Sequence, residues 1–137
     1  MKILVATDGS DQAMKAVQRA LEMARTQGAQ VTIMSVAFYS QDDFDDMPPR
    51  LQEKLQAEAR AALEKAKAVF EAQGIKVETV LEAGLVPANN IIRRAEEGGF
   101  DRIILGSSGL TGLKRMLMGS TAAKVVAQAP CEVLVVR

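Results

Sequence analysis

The stretch KILVATDGSDQAMKAVQRALEMARTQG, residues 2–28, passes from one hydrophobic period to another. Lys2 to Thr7 is a nearly unbroken apolar run, the pattern of a strand covered on both faces, and Asp8, Gly9 and Ser10 interrupt it. Ser10 then stands as an N-cap. Ala13, Val17, Leu21 and Ala24 recur at helical spacing, and Gly28 supplies the stop. A doubly covered strand followed at once by an amphipathic helix is the opening of a parallel α/β arrangement.

The pattern repeats along the chain. Val31 to Ala37 is a second buried strand, and FYSQDDFDDMPPR, residues 38–50, reads as a loop. Its aspartates lack the glycine and terminal glutamate of a calcium-binding EF-hand loop, so they read as a solvated turn. Leu51, Leu55, Ala59, Ala62, Ala66 and Phe70 mark one face of a long helix that runs towards Gly74. Lys76 to Glu82 is a weaker, more polar strand suited to a sheet edge. Pro87 opens a third helix with Ile91, Ile92 and Ala95 inward, stopped by Gly98 and Gly99. Arg102 to Leu105 forms a fourth strand. Ala122, Val125 and Val126 define a last helix before Pro130, and EVLVV, residues 132–136, closes the series as a fifth strand.

Strands alternating with helices predict a parallel sheet with helices on both faces and right-handed crossovers. Ligands in such sheets collect beyond the carboxyl ends of the strands, where the winding reverses. With strand order 3-2-1-4-5, the turns after strands 1 and 4 face one crevice. The whole chain, residues 1–137, reads as one domain large enough to bury a core without staples.

Composition removes several function classes. Seventeen basic residues balance seventeen acidic ones, so no net field recruits nucleic acid or an anionic membrane. No histidine is present, which excludes Ser-His and Cys-His nucleophilic machinery and histidine metal sites within this chain. The lone Cys131 fits a reducing compartment and reads as a buried structural thiol. The apolar run before Asp8 is too brief for a signal-peptide core or a membrane span, so the expected location is cytoplasmic.

A second stretch carries the chemistry: ILGSSGLTGLKRMLMGSTAAKVV, residues 104–126. A strand, then glycines, then a helix start suits phosphate, because amide N–H groups converge, the helix dipole favours negative charge and side chains are absent. Gly106 and Gly109 would shape the first turn; Gly119, Ser120 and Thr121 would form the helix start. The alternative is that these glycines punctuate a long connection. Lys114 and Arg115 either neutralise phosphate or are long surface side chains, and Met116, Leu117 and Met118 pack locally or against a partner subunit. A Walker A motif is missing, and the first turn lacks G-x-G-x-x-G, so neither a standard P-loop enzyme nor a dinucleotide oxidoreductase fits. Asp8 either accepts hydrogen bonds from a ribose or holds magnesium, or it caps the next turn.

These residues resemble the universal stress protein family over nearly the whole chain. The resemblance lies in VATDGS (residues 5–10), GLVPANNII (84–92), FDRIILGSSG (100–109) and APCEVLVVR (129–137). Its most specific part is Gly106-x-x-Gly109, nine residues, then Gly119-Ser120, which is the pattern of the family's ATP-binding branch. The resemblance implies a Rossmann-like α/β sandwich. It implies that Ala6, Thr7 and Asp8 line the adenosine side, with Asp8 on the ribose, and that Val36 meets adenine. Leu105 and Gly106 would close the pocket, while Gly109, Gly119, Ser120 and Thr121 would hold the phosphates. Ser108 and Leu110 depart from the family pattern, where histidine and arginine are frequent. The implied cofactor is ATP, or ADP or AMP in the same place, with magnesium as its accompanying ion. The implied partner is a second copy paired through Val133 to Val136, an apolar edge that invites pairing in any case.

The expected function is therefore nucleotide-dependent regulation in a stress response. Beyond Asp8 no base for phosphoryl transfer is evident, so any ATP hydrolysis is expected to be slow. The competing readings are a magnesium-dependent hydrolase, with Asp8 on the metal and Lys114 or Arg115 stabilising charge, and a dimeric interaction module without nucleotide. The latter should lack the glycine and serine set that this chain retains.

Overall fold

The computed structural model of the chain describes residues 1–40, 47–108 and 118–137. The elements run β1 (Lys2–Ala6), α1 (Asp11–Gln27), β2 (Gln30–Ala37), α2 (Pro49–Glu71), β3 (Glu78–Ala83), α3 (Pro87–Glu97), β4 (Arg102–Gly106), α4 (Ser120–Gln128) and β5 (Glu132–Val136). All four strand pairings are parallel, and the order is β3-β2-β1-β4-β5.

Strand alternation divides the core into two layers. Ile3, Val5, Val31, Ile33 and Ile104 point to one face and pack beneath α1 and α2, against Val17, Leu21, Leu63 and Phe70. Leu4, Met34, Ile103 and Leu105 point to the other and meet Ala88, Ile91 and Ala95 of α3 and Ala122 and Val125 of α4. Ile3, Leu4 and Val5 are fully buried, as a strand with helices on both sides requires. The Ser10 hydroxyl accepts from the Ala13 N–H at 3.2 Å, capping α1 as its sequence position predicts.

Some expectations shift. β3 begins at Glu78 rather than Lys76 and ends at Ala83, and it is an edge strand. In α2, Leu51 is exposed and Leu55 half-buried against the small cluster of Ala37, Tyr39 and Ala59, while Leu63 takes up core packing. Val126 does not belong to the inward face of α4: it is 48% exposed. Cys131 is half-buried rather than enclosed. Burial pushes its thiol up, and the carboxylates of Asp101 and Glu132 push it further, so it stays protonated and inert near neutral pH. Among the described residues, no helix is long and apolar enough to cross a membrane.

Candidate functional site

At the carboxyl ends of the strands, β1 and β4 lead in opposite directions across the sheet, and a cavity of ≈ 470 Å³ opens between them. Its floor is made by the ends of three strands: Ala6 and Thr7, Val36 and Ala37, and Leu105 and Gly106. Pro87 and Ile91 of α3, Ser120 and Thr121 of α4, and Leu55, Glu58 and Ala59 of α2 supply the walls.

The lining is divided by chemistry. The end beneath β2, α2 and α3 is mainly apolar, with Val36, Ala37, Leu55, Ala59 and Ile91 beside the single carboxylate of Glu58. The end between β1, β4 and α4 is polar, with Thr7, Asp8, Ser107, Ser108, Ser120 and Thr121. Such a cavity suits an elongated ligand with a flat apolar body and a polar tail.

The backbone accounts for each end. Where β1 stops, the Thr7 N–H still donates to the Met34 carbonyl at 2.9 Å, whereas the Ala37 carbonyl accepts from the Gly84 N–H on the β3 side at 3.0 Å. Alternate residues of a parallel strand aim both backbone groups at the same neighbour. Val36, two residues beyond Met34, therefore directs its N–H and C=O towards the β1 side, into the opening left when the chain turns at Asp8. They put a donor and an acceptor side by side at the cavity.

The turn after β1 is held by its own side chains. The Gly9 N–H donates to Thr7 Oγ1 at 3.1 Å, and the Ser10 N–H donates to Asp8 Oδ1 at 3.0 Å. Gly9 has φ of 82°, which a side chain would resist, and a Cβ there would lie 3.2 Å from that of Ala62. Both readings of Asp8 are thus compatible: its carboxylate caps the turn, and the residue lines the cavity.

At the other end, α4 begins at the cavity. Its N-cap is Gly119, with φ −63° and ψ 160°, and no side chain among the described residues caps the helix. α1 differs, since Ser10 satisfies an amide there. The first-turn N–H groups of α4 are left without intrahelical acceptors at the positive end of its dipole. The Gly119 N–H donates to the Ser107 carbonyl at 2.6 Å, which ties the start of α4 to the end of β4. Ser107 is itself locked: its N–H donates to the Val136 carbonyl at 2.9 Å, and its hydroxyl accepts from Gln12 Nε2 at 3.1 Å. The same Gln12 amide also donates to the Val136 carbonyl at 3.1 Å.

Ala6, Thr7, Asp8, Val36, Leu105, Gly106, Gly119, Ser120 and Thr121 therefore meet around one cavity. Gly109 lies outside the described residues, as do Lys114 and Arg115 and the aspartates at 42–46. Gly106 has a different immediate cause from the one its sequence position implies: it ends β4, and a Cβ there would lie 2.9 Å from the Gln12 carbonyl oxygen. The object approaching it is the backbone of α1. Sequence reasoning missed Phe38, Leu55, Glu58, Ala59 and Ile91 as cavity residues. Leu55, Ala59 and Ile91 carried only the signal of a helix face. Among the described residues the lining holds two carboxylates, Asp8 and Glu58, and no cation, so an anion there would rest on amides and hydroxyls.

A second depression, ≈ 570 Å³, runs along α1 beside Val136 and is lined by exposed charged side chains including Lys15, Arg19 and Arg25. Among the described residues its lining includes one strand end, Val136 of β5, and no helix start.

The family model described as the universal stress protein family matches residues 1–137. The chain belongs to the universal stress protein family. It is 38% identical to the universal stress protein MJ0531 of Methanocaldococcus jannaschii, across 99% of this chain and 81% of that protein. To the universal stress protein YxiE of Bacillus subtilis it is 34% identical, across 99% and 98%. Among solved universal stress proteins, UspA from Lactobacillus plantarum superposes with a TM-score of 0.86 at 31% identity, covering 100% of this chain and 97% of that one. Another universal stress protein, solved in complex with cAMP, superposes with a TM-score of 0.77 at 28% identity, covering 100% and 97%.

Proposed function

We propose that this universal stress protein binds an adenine nucleotide, ATP or its shorter relatives, and acts in the cytoplasm as a nucleotide-dependent regulator. The observation that carries the reading is the convergence on one cavity of two backbone sets that have no partner among the described residues: the Val36 donor and acceptor at its apolar end, and the first-turn amides of α4 at its polar end. The base lies against Val36, the ribose near Asp8, and the phosphates at Gly119, Ser120 and Thr121, with Gly109 completing the cradle. The related protein solved with cAMP makes an adenylate the first ligand to try. Magnesium would accompany the phosphates, in keeping with that ion's habit of using few protein ligands.

Calorimetry with ATP, ADP, AMP and cAMP on nucleotide-stripped protein tests this. Heat of binding and a melting temperature that climbs with ligand concentration are expected; a ligand at a hundred times its Kd adds about 2.7 kcal/mol of stability. Asp8→Ala should weaken binding roughly tenfold, the value of one or two hydrogen bonds to a charged acceptor. Absence of heat and of any shift in melting with all four ligands would discard the proposal.

We also propose that β5 pairs with its counterpart in a second copy. The Val136 carbonyl accepts from Ser107 on the β4 side, so Val133 and Val135 direct their backbone groups to the open edge. A two-fold arrangement satisfies both edges with one contact. Val135→Pro removes an outward donor and spares the ladder to β4, so it should turn a dimer into a monomer in sedimentation. A wild-type protein that sediments as a monomer at every concentration overturns the pairing.

A further inference from the structure

We propose that Phe38 is the platform on which the nucleobase stacks, an inference that rests on the adenine-nucleotide reading and assigns a residue to its base end. A singly exposed apolar residue is ordinary, but three features set Phe38 apart. It lines the cavity at the apolar end, two residues beyond Val36. It is 57% exposed while the other described aromatics are packed: Phe70 is fully buried, Tyr39 is 4% exposed, and Phe100 lies half-buried under the Lys2 ammonium at 4.9 Å.

Its backbone is also fixed. The Tyr39 N–H donates to the Ala37 carbonyl at 2.9 Å, closing a three-residue turn centred on Phe38. No non-glycine residue among those described has positive φ, so the turn is the relaxed, inverse form. Both flanks are anchored. Ala37 is bonded to Gly84 of the neighbouring strand, and Tyr39 is buried against Ala59, with its hydroxyl accepting from Gln56 Nε2. The turn sends Tyr39 into the core and leaves Phe38 outside it, as an exposed aromatic on an anchored backbone at the mouth of an apolar slot. Such a side chain has only its two χ angles left to order when a flat π-system covers it. Stacking is indifferent to which base is offered; the Val36 backbone would supply the choice.

The test uses nucleotide-stripped wild-type protein, Phe38→Ala, Phe38→Leu and Phe38→Trp, titrated with adenosine, AMP and ATP. Phe38→Ala should weaken binding roughly fivefold to a hundredfold, the range that base–aromatic stacking carries. The factor should be the same for all three ligands, because the contact is to the part they share. Phe38→Leu should recover only a fraction. As the exposed ring contributes little to the core, the melting temperature of the free variants should match wild type. The chain contains no tryptophan, so Phe38→Trp provides a single indole, excited selectively beyond the absorption of Tyr39, whose emission adenosine should quench. Unchanged affinity in Phe38→Ala, or an emission indifferent to bound adenosine, overturns the stacking role and leaves the nucleotide reading intact. No binding by wild type to any of the three ligands overturns both.

Discussion

Replacing Gly106 by valine should lower the unfolding free energy by about 3 kcal/mol or more, with a melting temperature reduced by on the order of 10 °C. Even a single Cβ at this position would lie 2.9 Å from the Gln12 carbonyl oxygen, 3.1 Å from its carbonyl carbon and 3.3 Å from the Ala13 nitrogen. All three are backbone atoms of the first turn of α1, so no side-chain rotation relieves the contact. Relief requires α1 to move off the sheet, and Ala16, Val17 and Ala20, all fully buried, resist that. Gly106→Ala should show the same effect at a smaller size, about 1–2 kcal/mol. Urea denaturation of the three proteins reads both values. A valine variant as stable as wild type would mean that α1 is not seated against β4 as described.

Glu82→Ala should cost about 2–3 kcal/mol, and its cost should depend on pH. The Glu82 side chain is only 10% exposed although it lies on an edge strand. Its carboxylate accepts from Asn90 Nδ2 at 2.9 Å, from Arg94 Nε at 2.8 Å and Nη2 at 2.6 Å, and from Arg93. Burial opposes its charge, but the Asn90 and Arg94 hydrogen bonds and the two guanidinium charges outweigh burial and hold its carboxyl below the ordinary value of 4.5. Removing one member of a buried pair commonly costs about 3–5 kcal/mol. Here the arginine side chains remain 55% and 37% exposed and can return to water, which brings the figure down.

Because the folded state favours the ionised form, this stabilisation is complete above pH 4.5 and is lost as pH falls through the lower folded value. The stability gap between wild type and Glu82→Gln should therefore be constant at neutral pH and close in acid. A gap that persists unchanged in acid would deny the ion pairs their role. The same cluster locks the connection from β3 to α3, since Asn90 Nδ2 also donates to the Ala83 carbonyl at 3.2 Å. That connection delivers Pro87 and Ile91 to the cavity wall, so Glu82→Ala should weaken ligand binding as well.

The architecture was legible because its signals are local. The run from Lys2, the cap at Ser10 and the stop at Gly28 define β1 and α1 almost without reference to the rest of the molecule. The alternating pattern allows the order 3-2-1-4-5 without dictating it, and the family resemblance singles it out; the polar β3 at an edge agrees with it. The two turns expected to share a crevice do so, and their residues line it together. What the sequence concealed was the partner of each face. Leu55 and Ala59 recur at core spacing, yet they line a cavity, because periodicity reports which side of a helix is apolar and not what lies opposite it. Val126 follows the same rule in reverse, as an apolar residue at helical spacing that stays about half exposed, at 48%. Gly106 looks like a residue of a flexible loop until the distance to Gln12 shows that a neighbouring helix demands it. Asn90, buried at 6% exposure in a helix expected to turn only apolar side chains inward, could not be placed without the Glu82 carboxylate it serves.

The bond from Gln12 to the Val136 carbonyl joins residues 124 positions apart, and it bears on the order in which the molecule is completed. Closure over such a separation carries a high entropic cost, and during synthesis Val136 is added after every other strand has been made. Until β5 docks, the Gln12 amide and the Ser107 N–H both lack their shared acceptor, and the platform from which α4 departs is unfinished. Maturation of the crevice is thus tied to the arrival of the final strand: a chain still emerging from the ribosome can assemble β1, β2 and β3 but has no finished place to receive a guest.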